Sequence, residues 1–290
     1  MKVLILGAYG MLGHKLFSSL SERYDVYATA RARNDAVRLT GSDDERIIDG
    51  VDAFDYPSIN DAIDRINPDI MINCIGLIKQ LGPTVDPLTM MYLNSVLPHR
   101  LVNSAKENGA RLIHFSTDCV FSGKKGMYTL RDRPDAEDVY GKTKFLGEVA
   151  NNNSLTIRSS IIGPELGSKN GLLEWFLSRS GMEIKGYRSA IYSGLTTLEM
   201  SRVVSMIIGR HPDLHGVYQV ASTPISKFDL LTLINEKMNL NVTIEPDYAF
   251  ACDRSLDGSE FNRATGYRPP SWSEMIDEMI IDMKNEEGMF

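Results

Sequence analysis

Residues 2–13 constrain the fold more than any other stretch. Lys2–Leu6 is a short apolar run that ends in Gly7-Ala-Tyr-Gly10-Met-Leu-Gly13, and a helical apolar spacing follows through Leu16, Phe17 and Leu20. Strand, glycine turn and helix in that order are the context of a dinucleotide-binding turn. Gly7 permits the tight turn, Gly10 lets the backbone approach a pyrophosphate, and Gly13 lets the helix pack closely on the strand. The N–H groups of Met11 and Leu12 fall at the helix start, where phosphate is held. The spacing is GxxGxxG rather than GxGxxG, and an ordinary strand–turn–helix is the competing reading. His14, just inside the helix, is assigned to packing.

The rest of the first half keeps this alternation. Residues 24–30 read as a second strand and 45–48 as a weak third. Residues 69–74 (DIMINC) form a continuous apolar run bounded by Pro68 and Gly76, the pattern of a buried parallel strand. Asn73, Cys74, Ile75 and Gly76 stand at its carboxyl end, where open α/β sheets bind ligands. Residues 89–108 predict a long helix that Pro98 interrupts, with Asn94 on it as a site brace or a turn cap. Residues 111–115 are another buried strand, followed by Ser116, Thr117 and Asp118. Residues 122–138 form a polar loop at the expected substrate mouth, and 155–159 a further strand. Strands alternating with helices imply a doubly wound parallel sheet, a Rossmann fold.

After the second strand come Arg31 and Arg33, with no acidic residue placed to grip a ribose 2′-hydroxyl. Basic residues there suit a 2′-phosphate, which favours NADP(H) over NAD(H). Asp52 accepts either an adenine amino group or a helix start near residues 56–58.

The stretch VYGKTKFLGE at 139–148 offers a phenol at Tyr140 and an ammonium at Lys144. Four residues apart on a helix, they share a face. A Tyr-x-x-x-Lys pair so placed is an acid/base unit, and the cation also holds a cofactor hydroxyl. A free phenol titrates near ~10, and chemistry near neutral pH asks for roughly three units, about 4 kcal/mol. One cation at ~4 Å and an effective dielectric of ~20 supplies about that much. The sequence therefore predicts a depressed phenol. The competing reading is a half-buried tyrosine beside a solvated lysine.

Past residue 163 the alternation weakens. Residues 172–177, 199–208, 226–238 and 271–283 read as helices and 216–221 as a strand, with an acidic, loose tail (NEEGMF) at the end. The expected division is a dinucleotide-binding domain over 1–160 and a smaller α/β substrate lobe over 161–290, with part of 185–225 returning to the first domain. A net charge of -7 without a dense Lys/Arg run argues against nucleic acid or an anionic membrane as partner. The opening apolar run is too short to span a bilayer, and Cys74, Cys119 and Cys252 are too scattered for a disulfide framework or zinc site. A cytoplasmic protein without a metal is expected.

Taken together, GAYGMLG at 7–13, INCIG at 72–76, FSTDCVFSG at 115–123, VYGKTKFLGE at 139–148, TIRSSIIGP at 156–164 and DRSLDGSEFNRATGYRPPSW at 253–272 resemble the extended short-chain dehydrogenase/reductases, in the group that includes dTDP-4-dehydrorhamnose reductase. The resemblance covers nearly the whole chain. It implies hydride transfer from NADPH to the C4 ketone of a nucleotide-activated 4-keto-6-deoxyhexose, in surface-polysaccharide deoxysugar biosynthesis. By that resemblance the catalytic hydroxyl falls on Thr117, the acid/base on Tyr140 and the cofactor-holding cation on Lys144. Arg254 is placed either at a substrate phosphate or on the surface. Cys119 stands where the family has an aromatic, Cys74-Ile75-Gly76 where it is alanine-rich, and residues 76–83 lack its acidic pattern. Asp118 is followed by cysteine rather than glutamate, which disfavours a dehydratase. A cofactor-retaining epimerase would use the same Tyr and Lys, and a non-catalytic NADP-binding regulatory subunit is the third reading. Homodimer pairing through 89–108 and 140–150 is the fold-level expectation.

Overall fold

A computed structural model describes residues 1–32, 46–79, 85–166 and 170–287. Among them, seven parallel strands build one sheet. β1 (Lys2–Leu6), β2 (Asp25–Thr29), β3 (Ile47–Ile48), β4 (Ile70–Asn73), β5 (Arg111–Ser116) and β6 (Ser154–Arg158) come in sequence order. β7 (Ile161–Ile162), β8 (Glu183–Tyr192) and β9 (Leu195–Thr196) leave the sheet, and β10 (Gly216–Gln219) rejoins it beside β6. The spatial order is β10-β6-β5-β4-β1-β2-β3. The order reverses between β1 and β4, so a crevice opens at the carboxyl ends of these two strands, the place where such sheets bind ligands.

Both faces of the sheet are covered, and β1 shows how. Val3 and Ile5 point into one apolar core, Leu4 and Leu6 into the other. A strand with period-two side chains and helices on both sides must be apolar wherever it is buried, hence the unbroken VLIL after the exposed Lys2. α1 (Met11–Ser21) and α7 (Thr197–Arg210) cover the first face, where the Ser201 hydroxyl donates to Ser19 at 3.0 Å. The second face is covered by α2 (Tyr56–Ile66) and by a helical run that starts as α3 (Pro87–Met91), widens to a π turn at Tyr92–Val96 and continues as α4 (Leu97–Glu107). The interruption expected at Pro98 thus appears as a π turn that ends two residues upstream, closed by the Leu97 N–H on the Tyr92 carbonyl. α5 (Val139–Leu146) follows, packed on that π turn.

The second half holds elements the sequence pattern does not announce. β8 pairs in parallel with β12 (Thr243–Asp253) and antiparallel with β11 (Ile225–Ser226) in a separate three-stranded sheet. β12 is an edge strand, most of its residues are half-buried or exposed, and it tolerates Pro246. It therefore lacks both the apolar run and the clean alternation that mark a strand. α6 (Leu172–Leu177), α8 (Lys227–Met238), α9 (Ser259–Thr265) and α10 (Trp272–Glu287) complete the chain. Ser226 caps α8 by accepting the Asp229 N–H at 3.0 Å. α10 runs on to Glu287, so residues 285–287 of the expected loose tail are helical.

Candidate active site

The crevice is assembled by close backbone approaches. Gly7 follows β1 with φ +99, a conformation side chains rarely adopt, and it abuts the backbone of Cys74 after β4. On Gly13 a Cβ would overlap the Gly7 carbonyl oxygen, so only glycine lets α1 start this near the strand. Gly10 is the N-cap of α1, and a Cβ there would meet nothing nearer than the Gly7 carbonyl at 3.7 Å. Among the described residues, the backbone at the helix start is therefore open at Gly10, beside the Met11 and Leu12 N–H groups, a cradle that fits a pyrophosphate.

The segment after β4 is held rigidly. Asn73 is buried; its Oδ1 accepts the Ile75 N–H at 3.0 Å and its Nδ2 meets His114 Nδ1 at 3.1 Å. Asn73 thus acts as an internal strut, and the surface toward the crevice is formed by Cys74, Ile75 and Gly76. His114 is kept neutral by burial, with Lys144 adding to the effect, which suits a ring nitrogen that accepts from an amide. From the π turn, Asn94 (0% exposed) accepts the Leu77 N–H at 2.9 Å. Asn94 is therefore a brace, not a turn cap. A Cβ on Gly76 would stand 3.3 Å from Asn94 Oδ1 and 3.8 Å from Lys144 Nζ. One short loop thereby joins the glycine turn to α5.

α5 carries Tyr140 and Lys144, and a glycine near each end fixes its place. A Cβ on Gly141 would overlap the Cys119 carbonyl, and one on Gly147 the Asn94 carbonyl. Pro98 explains the second approach: it has no N–H to offer the Asn94 carbonyl, so that oxygen is left for a neighbour. Asp138 caps the helix through the Gly141 N–H at 2.8 Å and pairs with Lys79 Nζ at 2.8 Å. The sequence reading passed over Gly141, Gly147 and Lys79. A glycine inside so short a helix was the available signal, since glycine weakens helices unless close approach requires it.

Thr117, Tyr140 and Lys144 come together. Thr117 is buried at the end of β5, accepts the Cys119 N–H at 3.1 Å and donates to Asp118 Oδ1 at 3.0 Å. Its hydroxyl also acts on the Tyr140 phenol, in the lowering direction. Lys144 is buried, and its Nζ donates to the Phe115 carbonyl at 2.6 Å. Burial lowers the Lys144 ammonium to about 8, against the opposing pull of Glu148 and Cys74. The phenol behaves opposite to the sequence expectation. Burial first, then the neighbouring Cys119, raise it above its usual value, and the Thr117 hydroxyl offsets this only in part. The Lys144 ammonium is engaged by the Phe115 carbonyl, and desolvation dominates the phenol. The phenol is therefore protonated across the physiological range, the form a proton donor needs.

Other expected residues stand at the rim. Arg31 is exposed just past β2, and Arg33 lies outside the described residues. The Asp52 carboxylate accepts the Phe54 N–H at 2.9 Å in a local turn, and the N-cap of α2 is Asp55. Asp52 therefore does not cap that helix. Arg254 is not a free surface residue: its Nε donates to the Phe121 carbonyl at 2.8 Å and its charge faces Cys119, Cys252, Asp118 and Asp138. Burial pushes the Cys74 and Cys119 thiols up to about 12. No helix among the described residues is long and apolar enough to cross a membrane.

A family profile described as the RmlD substrate binding domain matches residues 1–183. The chain is similar to the spore coat polysaccharide biosynthesis protein SpsK of Bacillus subtilis, 25% identical over 96% of each chain. It is 30% identical to the dTDP-4-dehydrorhamnose reductase of Streptomyces griseus over 51% of this chain and 43% of that one. Among solved structures, a dTDP-4-dehydrorhamnose reductase from Bacillus anthracis in complex with NADP superposes with a TM-score of 0.79 at 23% identity, covering 97% of this chain and 99% of that one.

Proposed function

The chain belongs to the RmlD substrate-binding domain family and has the extended short-chain dehydrogenase/reductase fold, and from that premise we propose that it is an NADPH-dependent reductase of the C4 ketone of a nucleotide-activated 4-keto-6-deoxyhexose, serving surface-polysaccharide deoxysugar synthesis. The observation that carries the reading is the meeting of Thr117, Tyr140 and Lys144 beside the glycine turn, with the phenol protonated. The glycine turn with Met11 and Leu12 would hold the pyrophosphate, the backbone of Cys74–Gly76 the nicotinamide side, and Lys144 a ribose hydroxyl. Asn73 supports that backbone from within, and Arg31 suits a 2′-phosphate. Asp52 is close to the adenine side on this reading.

When bound, the reduced cofactor supplies the hydride. Tyr140 gives its proton to the developing alkoxide oxygen, and the Thr117 hydroxyl orients that oxygen. A placed proton donor is worth typically ~10²–10⁴ in rate. Lys144, charged at neutral pH, supplies a fixed positive charge one helical turn from the phenol. The lobe within 161–290 supplies the nucleotide-sugar side, with α7 and β10 belonging to the dinucleotide-binding sheet. Homodimer pairing is read from the exposed Leu88, Met91 and Val96 and the neighbouring Phe145 and Leu146, and light scattering against concentration tests it.

The deciding experiment is NADPH absorbance decay with a panel of nucleotide-linked 4-keto-6-deoxysugars, with NADH alongside. Stoichiometric consumption on one panel member is expected. Tight NADPH binding with no consumption across the panel would overturn the reductase reading.

A further inference from the structure

One buried cluster next to the site has no part in the proton transfer. Glu148 follows α5, four residues past Lys144, and its side chain is 5% exposed; its partner Arg158, on β6, is 7% exposed. Arg158 grips the carboxylate with two nitrogens, at 2.7 Å and 2.6 Å, and the Ser116 hydroxyl donates to the same carboxylate at 2.7 Å. A buried ion pair of this kind is poor as a stabiliser, because desolvation consumes most of the attraction. An apolar pair of equal volume would serve stability as well, so the charges invite another explanation.

Their placement supplies one. Tyr140 and Lys144 share one face of α5, and Glu148 lies just past the helix's C-cap, Gly147. At the end of β5 and just past it, the Phe115 carbonyl takes Lys144, the Ser116 hydroxyl takes Glu148, and Thr117 faces Tyr140. The titratable groups facing Lys144 are Cys74 from the end of β4, His114 from β5 and Glu148, with Arg158 of β6 behind the last. Cys74 is held as the thiol and His114 as the neutral ring. The negative charge set against the ammonium is therefore that of Glu148. Yet among the described residues no ion pair joins the two, because Arg158 and Ser116 occupy the carboxylate while the Phe115 carbonyl occupies the lysine.

We propose that Glu148 is a positioning residue for Lys144: a fixed counter-charge, tied off by Arg158 and Ser116, that keeps the lysine charged in its buried place without capturing it. Its catalytic consequence rests on the reading of Lys144 as the cofactor-holding cation; its electrostatic content does not. Arg158 has the complementary task of preventing the carboxylate from swinging to Lys144 and drawing it off the Phe115 carbonyl.

The test is a pH titration of the full chain by carbon-13 NMR of ε-labelled lysine, with the Lys144 signal assigned by its loss in Lys144→Arg. In Glu148→Gln the Lys144 midpoint should fall by about one pH unit, the scale of a partly compensated nearby unit charge at an effective dielectric of ~20. Because Glu148→Gln leaves Arg158 buried without its partner, the double variant Glu148→Gln/Arg158→Met is run beside it and should shift in the same direction. Glu148→Asp should recover part of the shift. An unmoved midpoint in a folded variant overturns the proposal, since a merely structural pair would alter the melting temperature and leave the titration alone. NADPH affinity against pH then separates the two readings: a moved midpoint without NADPH binding in the parent protein refutes the cofactor role only, and unchanged NADPH profiles with an unmoved midpoint refute the counter-charge only.

Discussion

Replacing Lys144 with methionine should change how the stability of the cofactor-free protein responds to pH, and the size follows from one buried group. Burial lowers the ammonium from 10.5 to about 8 in the folded chain. In the unfolded chain it titrates at its ordinary value, so between these limits the unfolded state binds more protons and stability rises with pH. The destabilising charge is felt in full below pH ~8 and is gone above ~10.5. Between pH ~7 and ~9.5 the linkage stabilises the parent protein by about 2 kcal/mol. With an unfolding entropy of ~2.1 cal/mol/K per residue, 290 residues give ~0.6 kcal/mol/K, so this term raises Tm by ~3 °C. Lys144→Met lacks the term and keeps the other titrating groups. The assay is scanning calorimetry of both proteins, without cofactor, at the two pH values. The difference of differences should be ~3 °C in favour of the parent. Equal pH responses would refute the argument, for they would mean that the lysine keeps its hydration in the fold.

Four further outcomes are expected. Gly10→Ala should leave urea stability within ~0.5 kcal/mol of the parent yet weaken NADPH binding at least tenfold by fluorescence titration, whereas Gly13→Ala, whose Cβ would overlap the Gly7 carbonyl, should cost ~1–3 kcal/mol or more. Arg158→Met alone should destabilise by ~3–5 kcal/mol because it strands the buried Glu148 carboxylate, and adding Glu148→Gln should restore most of that in the same denaturation assay. Arg31→Ala should lower the NADPH/NADH ratio of kcat/KM, with the NADH value unchanged. Tyr140→Phe should lose ~10²–10⁴ in kcat on the responsive keto-sugar while binding NADPH as the parent does; equal turnover would remove Tyr140 from the proton transfer.

The parts of this fold that were legible in the sequence are those where local and global demands coincide. A strand buried on both faces must be apolar throughout, so β1, β4 and β5 announce themselves, and Gly7 and Gly13 mark a turn no other residue could make. Tyr140 and Lys144 are visible because helical spacing alone puts them on one face. What stayed hidden depends on partners distant in sequence. β8 and β12 make a sheet with one open side, so their sequences carry charges and a proline where a pattern was sought. Glu148 and Arg158 look like two surface charges until β5, β6 and the end of α5 are brought together. The phenol runs against the expectation for a related reason: the spacing shows the cation, and only the packed site shows the burial and the neighbouring Cys119 that raise the phenol.

The π turn at Tyr92–Val96 carries a consequence for chain length. Such a turn holds one residue more than an α-helix needs over the same stretch. Deleting a single residue here would let the run from Pro87 to Glu107 relax toward ordinary α geometry. The flanking halves would keep their faces, because the extra residue is absorbed within the π turn, but the widened turn that presents Asn94 would be lost. With α4 locked in the core by Leu97 and Leu101, Asn94 would move off Leu77, and the loop that joins the glycine turn to Lys144 would lose its support. Homologous chains should therefore tolerate insertions and deletions in their surface loops long before they tolerate one between residues 92 and 96.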